Sequence, residues 1–181
     1  MTGPVVRVLV AFHSRRGHVE TLAAEVAAAA GSVPGTEASL RHVSAVTRDE
    51  LLGCDALVVG TPVHTGSMAA PVKQFFDDWH LRFDFYPDRP MRDRVGAAFA
   101  AGGQGDGGRE LAMLGILSAM LHHHMLVVAG DSGIGASAAT EGEAPGVAGA
   151  DRERARALGR RVAEVAHRLR RGCDDQAGPL P

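Results

Sequence analysis

Five residues, Ser14, Arg15, Arg16, Gly17 and His18, stand close behind an almost unbroken apolar run, Val5 to Phe12, and directly before a segment with helical apolar spacing. A hydroxyl, two guanidiniums, a glycine and an imidazole where a buried strand meets a helix are suited to receiving an anion. A helix that starts near Gly17 leaves N–H groups free in its first turn, and its dipole favours negative charge there. Ser14 adds a hydroxyl, and Gly17 lets the chain approach a ligand closely. A terminal phosphate matches all of these features. The motif G-x-x-x-x-G-K-S/T is absent, as is G-x-G-x-x-G after the first strand. That argues against a nucleoside triphosphatase and against a Rossmann dinucleotide site. Taken alone, the loop reads equally well as a helix cap flanked by solvated arginines.

Two further stretches share its character. Residues 61–69 read TPVHTGSMA and residues 101–110 read AGGQGDGGRE, both small, glycine-bearing and rich in hydrogen-bonding groups. The elements that must position the three loops alternate along the chain. Val5–Phe12, Ala38–Val43, Asp55–Gly60, Val95–Gly102 and Met125–Gly130 read as strands, the first as a central one buried on both faces. Val19, Leu22, Ala23, Val26, Ala27 and Ala30 follow helical spacing, with Gly31 closing that helix. A short helix follows Thr47, capped with Glu50 three residues on, and another begins at Pro71. Arg109–Leu121 and Asp151–Arg171 complete the helices.

Strands separated by helices predict a parallel sheet with right-handed crossovers. The expected fold is a three-layer α/β sandwich with a five-stranded parallel sheet in the flavodoxin-like order 2-1-3-4-5. One domain is expected over residues 1–172, with 173–181 as a C-terminal tail. Ligands of such sheets bind at the carboxyl ends of the strands, beside the switch point. All three loops leave that edge, and three together are stronger evidence than any one.

Composition removes other classes. The chain has 181 residues, is 45% hydrophobic and carries a net charge of -2, so no basic footprint marks a nucleic-acid partner. The two cysteines, Cys54 and Cys173, have no metal or redox spacing. No signal-peptide layout opens the chain, and its apolar runs are too short to span a bilayer, so a cytoplasmic location is expected. His122, His123 and His124 are no metal set, because consecutive residues at a helix end point in different directions. Trp79, Phe83, Phe85 and Tyr86 either close the core or wall a ligand site. The eight arginines of the last helix read as a solvated face opposite an apolar stripe.

Together, VLVAFHSRRGHVETLA, VVGTPVHTGSMAAPVKQFFD, AAGGQGDGGRE and LHHHMLVV resemble the WrbA-type NAD(P)H:quinone oxidoreductases and the related NADPH-dependent FMN reductases, over about residues 5 to 130. The resemblance implies bound FMN. Ser14, Arg15, Arg16, Gly17, His18 and Val19 would then hold its phosphate, and Thr61, Pro62, Val63, His64 and Thr65 would border the ring. Ala101, Gly102, Gly103, Gln104, Gly105 and Asp106 would wrap its other edge, and His122 would reach the flavin as a catalytic group. It implies NAD(P)H as hydride donor, a quinone or similar aromatic acceptor, and a homodimer or homotetramer. The chain departs from that pattern: it lacks the insertion after the second strand and the tyrosine-bearing loop after the fifth.

Two functions are compatible with these motifs. One is an FMN-dependent oxidoreductase moving two electrons from NAD(P)H to a quinone. The other is a flavodoxin-type electron carrier. Such carriers are strongly acidic and sandwich the flavin between aromatic residues. Here the pI is about 6.5 and neither ring-bordering loop has an aromatic residue, which favours the enzyme.

Overall fold

The computed structural model describes residues 5–103, 107–131, 133–140 and 146–176, with side chains to residue 172. Its parallel sheet runs β2–β1–β3–β5–β6, where β1 is Val6–Phe12, β2 Thr36–His42, β3 Ala56–His64, β5 Val95–Gly102 and β6 Leu126–Val127. This is the expected order with two additions. A two-residue strand, β4 (Ser67–Met68), pairs antiparallel with the end of β3. The expected fifth strand is divided: β6 pairs only with Val95 and Gly96, and β7 (Ala136–Ala139) rejoins the same edge opposite Phe99–Gly102. The chain leaves the ladder between them through a glycine-bearing stretch, so most of Met125–Gly130 is not strand.

Helices α1 (His18–Gly31) and α5 (Gly149–Gln176) cover one face of the sheet, where Val6, Val8, Val10, Val26, Leu158 and Val162 are buried together. Helices α2 (Arg48–Gly53), α3 (Ala70–Leu81) and α4 (Arg109–His122) cover the other, over Leu9, Leu57, Val59, Trp79, Ile116 and Met120. A strand such as β1 therefore buries alternate residues in two different cores, which is why it reads as continuously apolar. Thr47 and Glu50 make the expected capping box, whereas Gly31 remains inside α1 and Ser32 caps it. The arginines of α5 are not only solvated: Arg156 pairs with Glu25 of α1 at 2.7 Å, and Arg170 with Asp55 at 2.7 Å. No described helix is long and apolar enough to cross a membrane.

Candidate functional site

The first loop is set by the end of β1. The His13 N–H donates to Gly60 O at 3.1 Å, holding that end against β3. The Ser14 hydroxyl oxygen accepts the Gly17 N–H at 3.1 Å, and Gly17 takes φ 85° as the N-cap of α1. A Cβ there would meet nothing within 4 Å, so the left-handed backbone rather than space asks for glycine. Gly17 O accepts the Thr21 N–H at 2.9 Å, leaving the N–H groups of His18, Val19 and Glu20 ahead of the helical ladder.

The second loop is the β3–β4 hairpin. Its turn is Thr65 and Gly66, with φ 51° and 72°, the signs of a type I′ turn. Beneath it Thr61 is fully buried; its hydroxyl donates to Pro62 O and accepts the Ala69 N–H, both at 2.9 Å. The third loop leaves β5 at Gly102 and returns at Gly108, the N-cap of α4 with φ 67°. A Cβ on Gly108 would lie 2.9 Å from Gly66 Cα, so these two loops touch through their backbones.

Between the loops lies a cavity of about 460 Å³, within the ordinary range for a cofactor site. Ser14, Arg15, Arg16, His18 and Val19 line it from the first loop, and Pro62, Val63 and His64 from the second. Ala101, Gly102 and Gly103 line it from the third. Gln104, Gly105 and Asp106 lie outside the described residues.

Four expected site residues are placed differently. Gly17 shapes the first loop without lining the cavity, Thr61 braces the second from below, and Thr65 is exposed at its tip. His122 lies farthest from the three loops: it ends α4, roughly 20 Å along that helix from the third loop. It lines a second cavity of about 510 Å³ with His80, Tyr86 and His123. None of the four aromatic residues lines the first cavity: Trp79 and Phe85 are fully buried in the core, Phe83 packs against it, and Tyr86 is exposed at the second cavity. The Cys54 thiol, pushed up to about 11 by burial, is an inert core group.

Two further features have only weak signals in the sequence. Thr140, after β7, closes the cavity and donates its N–H to Gly102 O at 2.8 Å; the small-residue run Ala136–Ala139 was its signal. His13 Nδ1 lies 2.9 Å from His42 Nε2, and burial and the neighbouring charges of His42 and His64 lower the His13 pKa. Its signal was a histidine next to the carboxyl end of a buried strand. Among the described residues, the lining holds two arginines and two histidines and no carboxylate.

The family model for NADPH-dependent FMN reductase matches residues 13–139, which span all of these loops. The chain belongs to that family. A protein named flavodoxin from Aquifex aeolicus is 34% identical over 163 residues, covering 87% of this chain and 85% of its own. An NAD(P)H dehydrogenase (quinone) from Chromohalobacter salexigens is 32% identical over 143 residues, covering 67% and 70%. Among solved structures, a WrbA-like flavodoxin from Agrobacterium tumefaciens superposes with a TM-score of 0.77 at 25% identity, covering 91% of this chain and 99% of that one. This FMN reductase family member is a flavodoxin-like oxidoreductase, and its cavity suits FMN. The cationic first loop and free helix amides match a phosphate, while the side-chain-free backbone at Gly102 and Gly103 leaves room for a flat ring.

Proposed function

We propose that the protein binds FMN in the first cavity, takes a hydride from NAD(P)H and reduces a quinone or similar aromatic acceptor by two electrons. The observation that carries this reading is the convergence of the Ser14–His18 loop, the Pro62–His64 segment and the Ala101–Gly103 segment on one cavity whose described lining holds no carboxylate. FMN supplies the hydride and electron chemistry. The chain's own groups bind and orient. Ser14, the α1 amides and one or both of Arg15 and Arg16 receive phosphate, with any remaining guanidinium directed to the 2′-phosphate of NADPH. Pro62 and Val63 give an apolar border for a ring, and the backbone at Gly102 and Gly103 is open to its edge. His64, exposed at the rim, stands where an incoming nucleotide or acceptor would pass.

Titration with FMN, followed by quenching of its fluorescence, tests the reading. Saturable binding with a Kd on the order of micromolar or tighter supports it, with riboflavin markedly weaker for want of the phosphate. No saturable quenching overturns it. Steady-state reduction of a benzoquinone by NADPH or NADH then tests the enzyme. The carrier reading draws on the name of the Aquifex relative. Negligible reduction of bound FMN by either nucleotide, with one-electron transfer to a redox protein, would select it. Assembly as a homodimer or homotetramer draws on Leu111, Leu114 and Leu121, all exposed along one side of α4. Sedimentation velocity measures that directly.

A further inference from the structure

The geometry points to His13 and His42 acting as one proton-binding unit at the carboxyl ends of β1 and β2, which takes up a proton when an anion fills the first cavity. The inference rests on the phosphate-binding reading above and adds to it a coupling between ligand and proton.

The hydrogen bonds assign the tautomers. His42 Nδ1 accepts the Ser44 N–H at 3.4 Å and lies 2.8 Å from Ser44 Oγ, whose hydroxyl therefore donates to it. In neutral His42 the proton must then sit on Nε2, which donates to His13 Nδ1 at 2.9 Å. His13 in turn carries its proton on Nε2. The chain runs from exposed Ser44 through two half-buried imidazoles and ends at His13, next in sequence to Ser14 of the phosphate loop.

One added proton reverses the imidazole chain, at the cost of the 3.4 Å hydrogen bond in which the Ser44 N–H donates to His42 Nδ1. A histidinium at His13 donates through Nδ1 to His42 Nε2; His42 then carries its proton on Nδ1 and donates to Ser44 Oγ, since a hydroxyl accepts as readily as it donates. The charge resides on His13. That charge is opposed by burial, by His42 when that ring is itself protonated, and by His64 at the end of β3. Phe12 packs its ring against His42 from the side, at 5.8 Å between centroids, and adds no charge. Arg15 and Arg16 add positive charge on the cavity wall. An anion in the cavity offsets all of these repulsions at once and favours the protonated pair.

The sign follows from linkage. If the pair binds a proton more tightly with the cavity filled, filling the cavity takes up protons and affinity rises as pH falls. FMN affinity is measured between about pH 8 and about pH 6 for the wild type, His13→Gln and His42→Gln. Because a phosphate monoester itself titrates near pH 6, the coupling is read as the difference between wild type and variants. The expected result is a wild-type gain of about threefold or more relative to either variant, up to tenfold per pH unit for one proton. Long-range 1H–15N spectra of the histidine rings in the wild-type apoprotein give a readout independent of the variants and of activity. They should show His42 protonated on Nε2 at about pH 8, and His13 charging on addition of sulfate, which keeps its own charge through this range. Equal pH slopes in all three proteins, or His42 protonated on Nδ1 at about pH 8, overturn the coupling and leave the FMN reading intact. Absence of FMN binding at every pH overturns that reading, and the sulfate spectra then decide the coupling.

Discussion

The Thr61 hydroxyl accepts the Ala69 N–H at 2.9 Å, tying the end of β3 to the N-cap of α3 underneath the residues that border the cavity. It is fully buried and also donates to Pro62 O, so both of its hydrogen-bonding roles are used. Thr61→Val keeps the shape and orphans a buried N–H and a carbonyl. Urea unfolding of the apoprotein should show a loss of about 1–3 kcal/mol. FMN affinity should fall with it, and Thr61→Ser should recover most of both.

Gly108→Ala probes the contact between the second and third loops. The new Cβ would lie 2.9 Å from Gly66 Cα and 3.1 Å from Gly66 O, on a residue whose φ is 67°. Neither atom can swing aside as a side-chain end would. The strain should amount to about 1–3 kcal/mol and open the cavity between the loops. Weaker FMN binding, with a smaller change in global unfolding, is the expected pattern. Wild-type affinity would show that the loops separate without consequence.

Arg15→Ala and Arg16→Ala separate the two phosphates. Both side chains are exposed, and both line the cavity. Loss of a charge-assisted contact should weaken FMN, or narrow the NADPH-over-NADH preference, by about tenfold or more. A single variant that changes one quantity assigns its arginine to that phosphate. If neither quantity moves in either variant, Ser14 and the α1 amides hold the phosphate alone.

His123 makes the fold sensitive to acid. Buried against Trp79 at 4.8 Å between ring centroids, with Nδ1 unpartnered, it has its pKa lowered to about 4, chiefly by desolvation. The neutral form is favoured in the folded protein, so its contribution is complete above pH 6.5, the unfolded value, and is lost as pH falls toward 4. Thermal unfolding should show about 1–2 kcal/mol less stability at the acid end of that window. His123→Phe should flatten this part of the profile.

Regular periodicity was legible, and local exceptions were not. β5 runs over the expected Val95–Gly102, and Pro71 opens α3, because those signals act over a few neighbouring residues. The hairpin was hidden because Thr65 takes φ 51°, a conformation that threonine rarely adopts and that the pairing of Val63 with Met68 and of His64 with Ser67 closes around. The division between β6 and β7 was hidden because Ala136–Ala139 carries no β-branched or aromatic residue; its place comes from fitting beside Phe99–Gly102. The position of His122 was hidden for a plainer reason. A residue near the end of α4 is close in sequence to the last strands but belongs to the other end of the sheet.

The cavity takes Ser14 on one wall and Thr140 on another, with Pro62 and Ala101 in between. On the ribosome Ser14 emerges well before Thr140, so the opposing wall is completed more than a hundred residues after the first loop. Capture of a ligand there therefore waits for both stretches, and is confined to chains in which the first loop and the Thr140 segment have already met. A ligand bound there acts as a clasp between parts made far apart in time, and protects most strongly the chains in which they have met.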